Sequence, residues 1–152
     1  VTPEEKCGQA IMYFHINTTG LGGKRLVVFE SLYLEDEPEN PIVKHEDIYN
    51  YDESIDVVLL VNVFHGFKAS RKLDEAVDEL ARIVKEDGKI AIMDYKAWDV
   101  PKGPPTQMRS SPEELERLFK DHGLRMNYLN EEIGEDIPQG KSHFFIVFEN
   151  DI

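Results

Sequence analysis

Three glycines, Gly20, Gly22 and Gly23, stand beside an apolar run, Arg25 to Glu30 ("RLVVFE"). Glycines next to a buried strand are the material of a phosphate- or dinucleotide-binding loop, whose backbone N–H groups face the ligand from a helix N-terminus. That chemistry needs the order strand, glycines, helix. Here the glycines precede the strand, so they read instead as punctuation that stops a helix and turns the chain into a strand. His45, Glu46 and Asp47 are metal-ligand types in a row. Successive side chains of a strand point to opposite faces, which argues against a shared metal there.

Composition narrows the chemistry further. A chain of 152 residues, 41% hydrophobic, has enough apolar material for one domain, residues 1–152, with a core of its own. Lys and Arg number 17 against 30 Asp and Glu, a formal net charge of −13. Such a surface repels phosphate backbones and anionic lipid and argues against nucleic acid or membrane as a partner. The single cysteine, Cys7, excludes an intramolecular disulfide and a cysteine-based zinc site. No apolar run approaches the ~20 residues of a membrane span, and "VTPEEKCGQ" lacks a signal-peptide pattern. The expected compartment is cytoplasmic.

The elements that must position any site follow from periodicity. Thr2-Pro3-Glu4-Glu5 reads as a helix start, and Cys7, Ala10, Ile11 and Phe14 form a helical apolar stripe ending near Asn17. Strands are expected at 25–30, 42–47, 54–64 and 89–95, the third being the most hydrophobic and central. The clearest helix runs from about Ser70 to Glu86, with Leu73, Ala76, Val77, Leu80 and Val84 inward and Gly88 as its C-terminal glycine. Residues 96–109 form a long loop with three prolines, and long loops in compact domains tend to be functional. Ser111-Pro112-Glu113-Glu114 is a capping box opening a helix whose face is Leu115, Leu118, Phe119 and His122. Residues 124–133 and 142–150 flank a polar loop and read as an antiparallel hairpin.

Strands alternating with helices imply an α/β, Rossmann-like, mostly parallel sheet with helices on both faces, here closed by a C-terminal antiparallel hairpin. Ligands in such folds bind outside the carboxyl ends of the strands. The residues to watch are therefore Glu30-Ser31, Asp47-Ile48, Asn62 to Phe67 and Asp94 to Trp98.

Three segments in this order, "SIDVVLLVNVFHGF", "LDEAVDELARIVKEDGKIAIMDY" and "GPPTQMRSSPEELERLFKDHGL", resemble small class I S-adenosylmethionine-dependent methyltransferases of the type 11 kind. The resemblance covers roughly residues 25 to 149. It implies S-adenosylmethionine as cofactor. Glu30 then falls where an acid accepts both ribose hydroxyls, with Ser31 beside it, since a carboxylate offers two acceptor oxygens. Asp47 matches the acid that contacts the adenine amino group, with the Ile48 backbone beside it. Asn62 and His65 match a stretch near the methionine moiety and the methyl acceptor, and Tyr95 joins His65 on the substrate side. Each acid also has a plain reading as a solvated strand-end carboxylate. His65 reads more readily as a satisfied structural histidine than as a base, because Gly66 stands where the family often has a second histidine.

The resemblance implies a departure as well. The family's first strand and glycine-rich loop would lie before Val1, leaving the second and fourth strands without their shared central neighbour. Either those two pair directly, or another segment or chain fills the gap, and exposed edge would favour a homodimer or a protein partner. Two functions follow from this. One is a methyltransferase-like protein with weak or no independent catalysis, acting through its acidic surface or the 96–109 loop. The other is an active methyltransferase whose first strand and loop come from an upstream segment or a partner chain. A module for another nucleotide lacks any phosphate loop.

Overall fold

The computed structural model describes residues 11–17, 23–32 and 53–151, with 11–17 and 30–32 described through their backbone. Six strands form one sheet: β1 (Ile11–Asn17), β2 (Leu26–Leu32), β3 (Ile55–Val61), β4 (Val84–Tyr95), β5 (Leu124–Ile137) and β6 (Gly140–Asn150), in the order β1-β2-β3-β4-β6-β5. β2, β3 and β4 run parallel, while β1 and the β5–β6 hairpin are antiparallel to their neighbours. The described helices are α1 (Phe64–Ala69), α2 (Leu73–Ile83) and α3 (Pro112–Lys120), with a 3-10 turn at Thr106–Met108. Among the described residues no helix is long and apolar enough to cross a membrane.

β3 takes the central place expected for the most apolar segment. Its residues Val58 and Leu60 are fully buried, and so are Ile90 and Ile92 on β4. The buried side chains of α1, α2 and α3 join these, together with Phe144, Ile146 and Phe148 of β6, in one core cluster. The Phe119 ring of α3 lies parallel to Phe148, centroids 4.0 Å apart, and tilted against Phe64 of α1 at 5.9 Å. The hairpin therefore contributes its second strand to the core and leaves β5 as an edge, where Tyr128 is half exposed.

Four expectations are corrected. Ile11 to Asn17 is not the end of a helix but a strand, paired along its whole length with β2. Ile11, Tyr13, Phe14 and Ile16 are strand formers, and pairing covers an edge of β2 that a helix would leave open. Gly23, at φ 85°, turns the chain directly into β2, so it serves the entry to a strand pair rather than a helix end. Gly88 caps no helix, since α2 stops at Ile83 and β4 has already begun. A Cβ on Gly88 would come within 3.0 Å of the carbonyl oxygens of Ile55 and Asp56, so the absence of a side chain lets β4 lie against the start of β3. Finally, the strand expected to reach Phe64 breaks at Asn62, which takes φ 54°, and α1 follows where no helix was expected. The hairpin strands also extend through the expected polar loop to a turn at residues 138–139. The strand expected at 42–47 lies outside the described residues.

One local feature, the Ser111 cap, matches its expected chemistry, and another, His122, departs from its expected place on an apolar helix face. Ser111 caps α3, its hydroxyl accepting the Glu114 N–H at 3.2 Å, with Pro112 in the first helical turn. His122 follows that helix, and its two ring nitrogens meet Asp78 at 2.7 Å and Asp74 at 2.9 Å on α2. The hydrogen bond to Asp74, and then that to Asp78, outweigh burial and hold the imidazole above its ordinary value. A histidine raised on folding stabilises fully below its unfolded value near 6.5 and loses that contribution as pH rises through the folded value. Both acids are solvent-exposed, so the gain is no more than about 1 kcal/mol. The urea midpoint of the unmodified chain should exceed that of His122→Gln at pH 5.5, and the gap should close by pH 8.5. A gap that widens with pH would show that the imidazole is not charged in the fold.

Candidate cofactor and substrate site

The carboxyl ends of β2, β3 and β4 lie side by side: Glu30 is in register with Val61, and Val61 with Met93. This edge brings Glu30, Asn62, His65 and Tyr95 to one end of the sheet. Glu30 and Ser31 are placed there by backbone alone, and Asp47 and Ile48 lie outside the described residues. Asn62 leaves the strand in the left-handed region, a conformation asparagine tolerates better than most residues. Its N–H still extends the ladder to the Met93 carbonyl at 2.9 Å.

Asp94 organises the edge. The short helix α1 has no side-chain cap of its own at Val63. Asp94 supplies one from the neighbouring strand, accepting the His65 backbone N–H at 3.0 Å, a favourable place for a carboxylate at a helix start. It also accepts the Tyr95 N–H at 2.8 Å, while the His65 Nδ1 lies 3.0 and 3.2 Å from its two oxygens. A carboxylate only accepts, so His65 carries its proton on Nδ1. His65 is 5% exposed. Its ring is thus a buried partner of Asp94, which fixes its tautomer and orientation.

A second chain of contacts fixes Asn62. The Ser142 hydroxyl accepts the Glu135 N–H at 2.8 Å and lies 2.6 Å from His143 Nδ1, and His143 Nε2 lies 2.9 Å from Asn62 Oδ1. The amide oxygen is an acceptor, so Nε2 donates to it, and in the neutral imidazole Nδ1 accepts the serine proton. Burial, the largest influence on it, pulls His143 below its ordinary value and favours that form. Anchored by its oxygen, the Asn62 amide keeps both N–H donors of Nδ2 for a ligand. Those donors suit the carboxylate of a methionine moiety, so the one cofactor candidate whose side chain is described fits the group.

Tyr95 is part of a wall. Its ring tilts against His143 at 4.2 Å and the Arg109 guanidinium lies 5.3 Å from its centroid. Gly103, at φ 96°, lies against it so closely that a Cβ would stand 2.7 Å from the ring. Arg109, 3% exposed, holds the 96–109 loop from within. Its guanidinium donates to the carbonyls of Pro104 at 2.9 Å, Trp98 at 3.0 Å and Lys102 at 2.6 Å, with longer contacts to Lys96 and Val100 at 3.3 Å. The loop whose length suggested function is therefore shaped by one arginine that sequence reading passed over, as it did the Ser142–His143 pair. Lone polar residues announce such roles by no pattern. Among the described residues no three metal-binding side chains cluster.

A methyltransferase-domain family model matches residues 32–92. A type 11 methyltransferase structure from Sulfolobus solfataricus superimposes with a TM-score of 0.55 at 22% identity, over 70% of this chain and 56% of that one. A SAM-dependent methyltransferase structure from Aquifex aeolicus does so with a TM-score of 0.51 at 28% identity, over 64% of this chain and 46% of that one. The chain thus spans about half the length of each. No curated protein matches it. In fold, and over residues 32–92 in sequence, this chain is similar to S-adenosylmethionine-dependent methyltransferases.

Proposed function

We propose that this methyltransferase-like protein has weak or no independent methyl-transfer activity and acts by binding. The observation that carries the reading is the direct pairing of Leu26–Glu30 with Val57–Val61, which leaves no gap between β2 and β3 for a further strand. S-adenosylmethionine, when bound, supplies an electrophilic methyl group. Its in-line transfer asks mainly for positioning and exclusion of water. What this chain's described residues bring to that task is one oriented amide, Asn62, and a packed wall at Tyr95.

The alternative is an enzyme completed by a strand and glycine loop from an upstream segment or a partner chain. A completing strand would belong between β2 and β3. Leu26–Glu30 instead pairs residue by residue with Val57–Val61, which supports the first reading. A homodimer or protein partner is part of that reading, seated at an outer sheet edge. Calorimetric titration with S-adenosylmethionine and S-adenosylhomocysteine tests it. The expected result is no saturable heat below the millimolar range. Micromolar binding that is lost on Glu30→Ala would overturn the proposal.

A further inference from the structure

A second cleft lies away from Asn62, between the first turn of α3, the start of the 96–109 loop and the tip of the β5–β6 hairpin. Its volume is about 440 Å³, within the range of small-molecule sites. Lys96 and Trp98 line it, with Glu113 from α3 and Glu131, Glu132 and Lys141 from the hairpin. Lys96 is 7% exposed, and among the described residues its ammonium forms no ion pair and no hydrogen bond, while the Nζ atom itself keeps some contact with solvent. Its partner is the Trp98 ring, 4.4 Å from Nζ to the centroid. A cation–π contact supplies no counter-charge, so the ammonium is open to an anionic group that enters the cleft. Lys141 is already paired, with Asp136 at 2.7 Å.

The charges are arranged in depth. One unpaired cation stands at the floor, an aromatic ring beside it, and three exposed glutamates stand at the rim. A polyanion would be repelled at the rim, and a simple cation at the floor. We infer that the cleft binds a small dipolar ligand of the amino-acid class, its carboxylate on Lys96 and its cationic end toward Glu131, Glu132 or Glu113. This goes beyond the methyltransferase reading and does not depend on it, because the cleft shares no residue with the Asn62 site.

Trp98 is the chain's single tryptophan, so its fluorescence reports the cleft directly. Titration with L-lysine should change that emission saturably, and L-lysinamide, which lacks the carboxylate, should bind at least about tenfold more weakly. Lys96→Met, checked by circular dichroism for intact folding, should weaken L-lysine by a similar factor. The comparison of L-lysine with its amide on the unmodified chain remains decisive if that variant fails to fold. Equal binding of the two, no saturable change with L-lysine into the tens of millimolar, or tighter binding of inorganic phosphate would each overturn the assignment.

Discussion

Asp94→Ala is expected to lower the unfolding free energy by about 3–5 kcal/mol. The substitution removes both oxygens that accept the His65 and Tyr95 N–H groups and the His65 ring, all at a buried strand end. The His65 N–H and ring are buried, so each bears its desolvation penalty without the carboxylate, while the part-buried Tyr95 N–H bears less. Asp94→Asn keeps one acceptor oxygen and should lose roughly half as much. Urea denaturation with an unchanged m-value would read this as stability lost from the native state. A midpoint for Asp94→Ala equal to that of the unmodified chain would show that α1 and the strand end hold together without the carboxylate. The consequence reaches the site, because α1 begins three residues after Val61 and Asn62 sits in that connection.

Arg109→Met should cost about 3–4 kcal/mol and release the 96–109 loop. Methionine keeps most of the apolar stem but none of the donors that gather the carbonyls of Lys96, Trp98, Val100, Lys102 and Pro104. Arg109→Lys should recover little, since one ammonium with three donors cannot span a fan of carbonyls that a planar five-donor fork fits. Two readouts check this. The urea midpoint should fall, and trypsin should cut faster after the exposed Lys102. Unchanged resistance to trypsin would mean that the prolines and the Tyr95–Gly103 contact shape the loop without the arginine.

Much of the architecture was legible because it follows from local pattern. The apolar run at 57–61 is best satisfied with neighbours on both faces, and it lies at the centre of the sheet. The helical spacing of Val77 and Leu80 marks a face that must be buried, and both are. Ser111 with Pro112 announces a helix start through chemistry confined to one turn. The misreadings share a cause. Residues 11–17 satisfy both a helical and an alternating pattern, and the vacancy beside β2, a feature of the tertiary structure, decides between them. Gly88 has the sequence position of a helix stop, but the carbonyls of β3 give it another purpose.

The candidate site divides in the same way. That ligand chemistry belongs at the carboxyl ends of the strands follows from alternation of strands and helices, and Glu30, Asn62, His65 and Tyr95 do come to that edge. What each side chain is free to do depended on partners far along the chain. His65 is committed by Asp94, 29 residues on, and Asn62 is oriented by His143, 81 residues on. Sequence by itself determined the fold class, the strand-end location of the candidate site and the acidic composition, because hydrophobic period and charge act locally and add along the chain. Only the tertiary structure decided which polar groups are spent on one another and which, like the Asn62 amide nitrogen and the Lys96 ammonium, have no hydrogen-bond acceptor among the described residues. Pairing of polar groups is a matter of distance in space, which neither residue type nor spacing encodes.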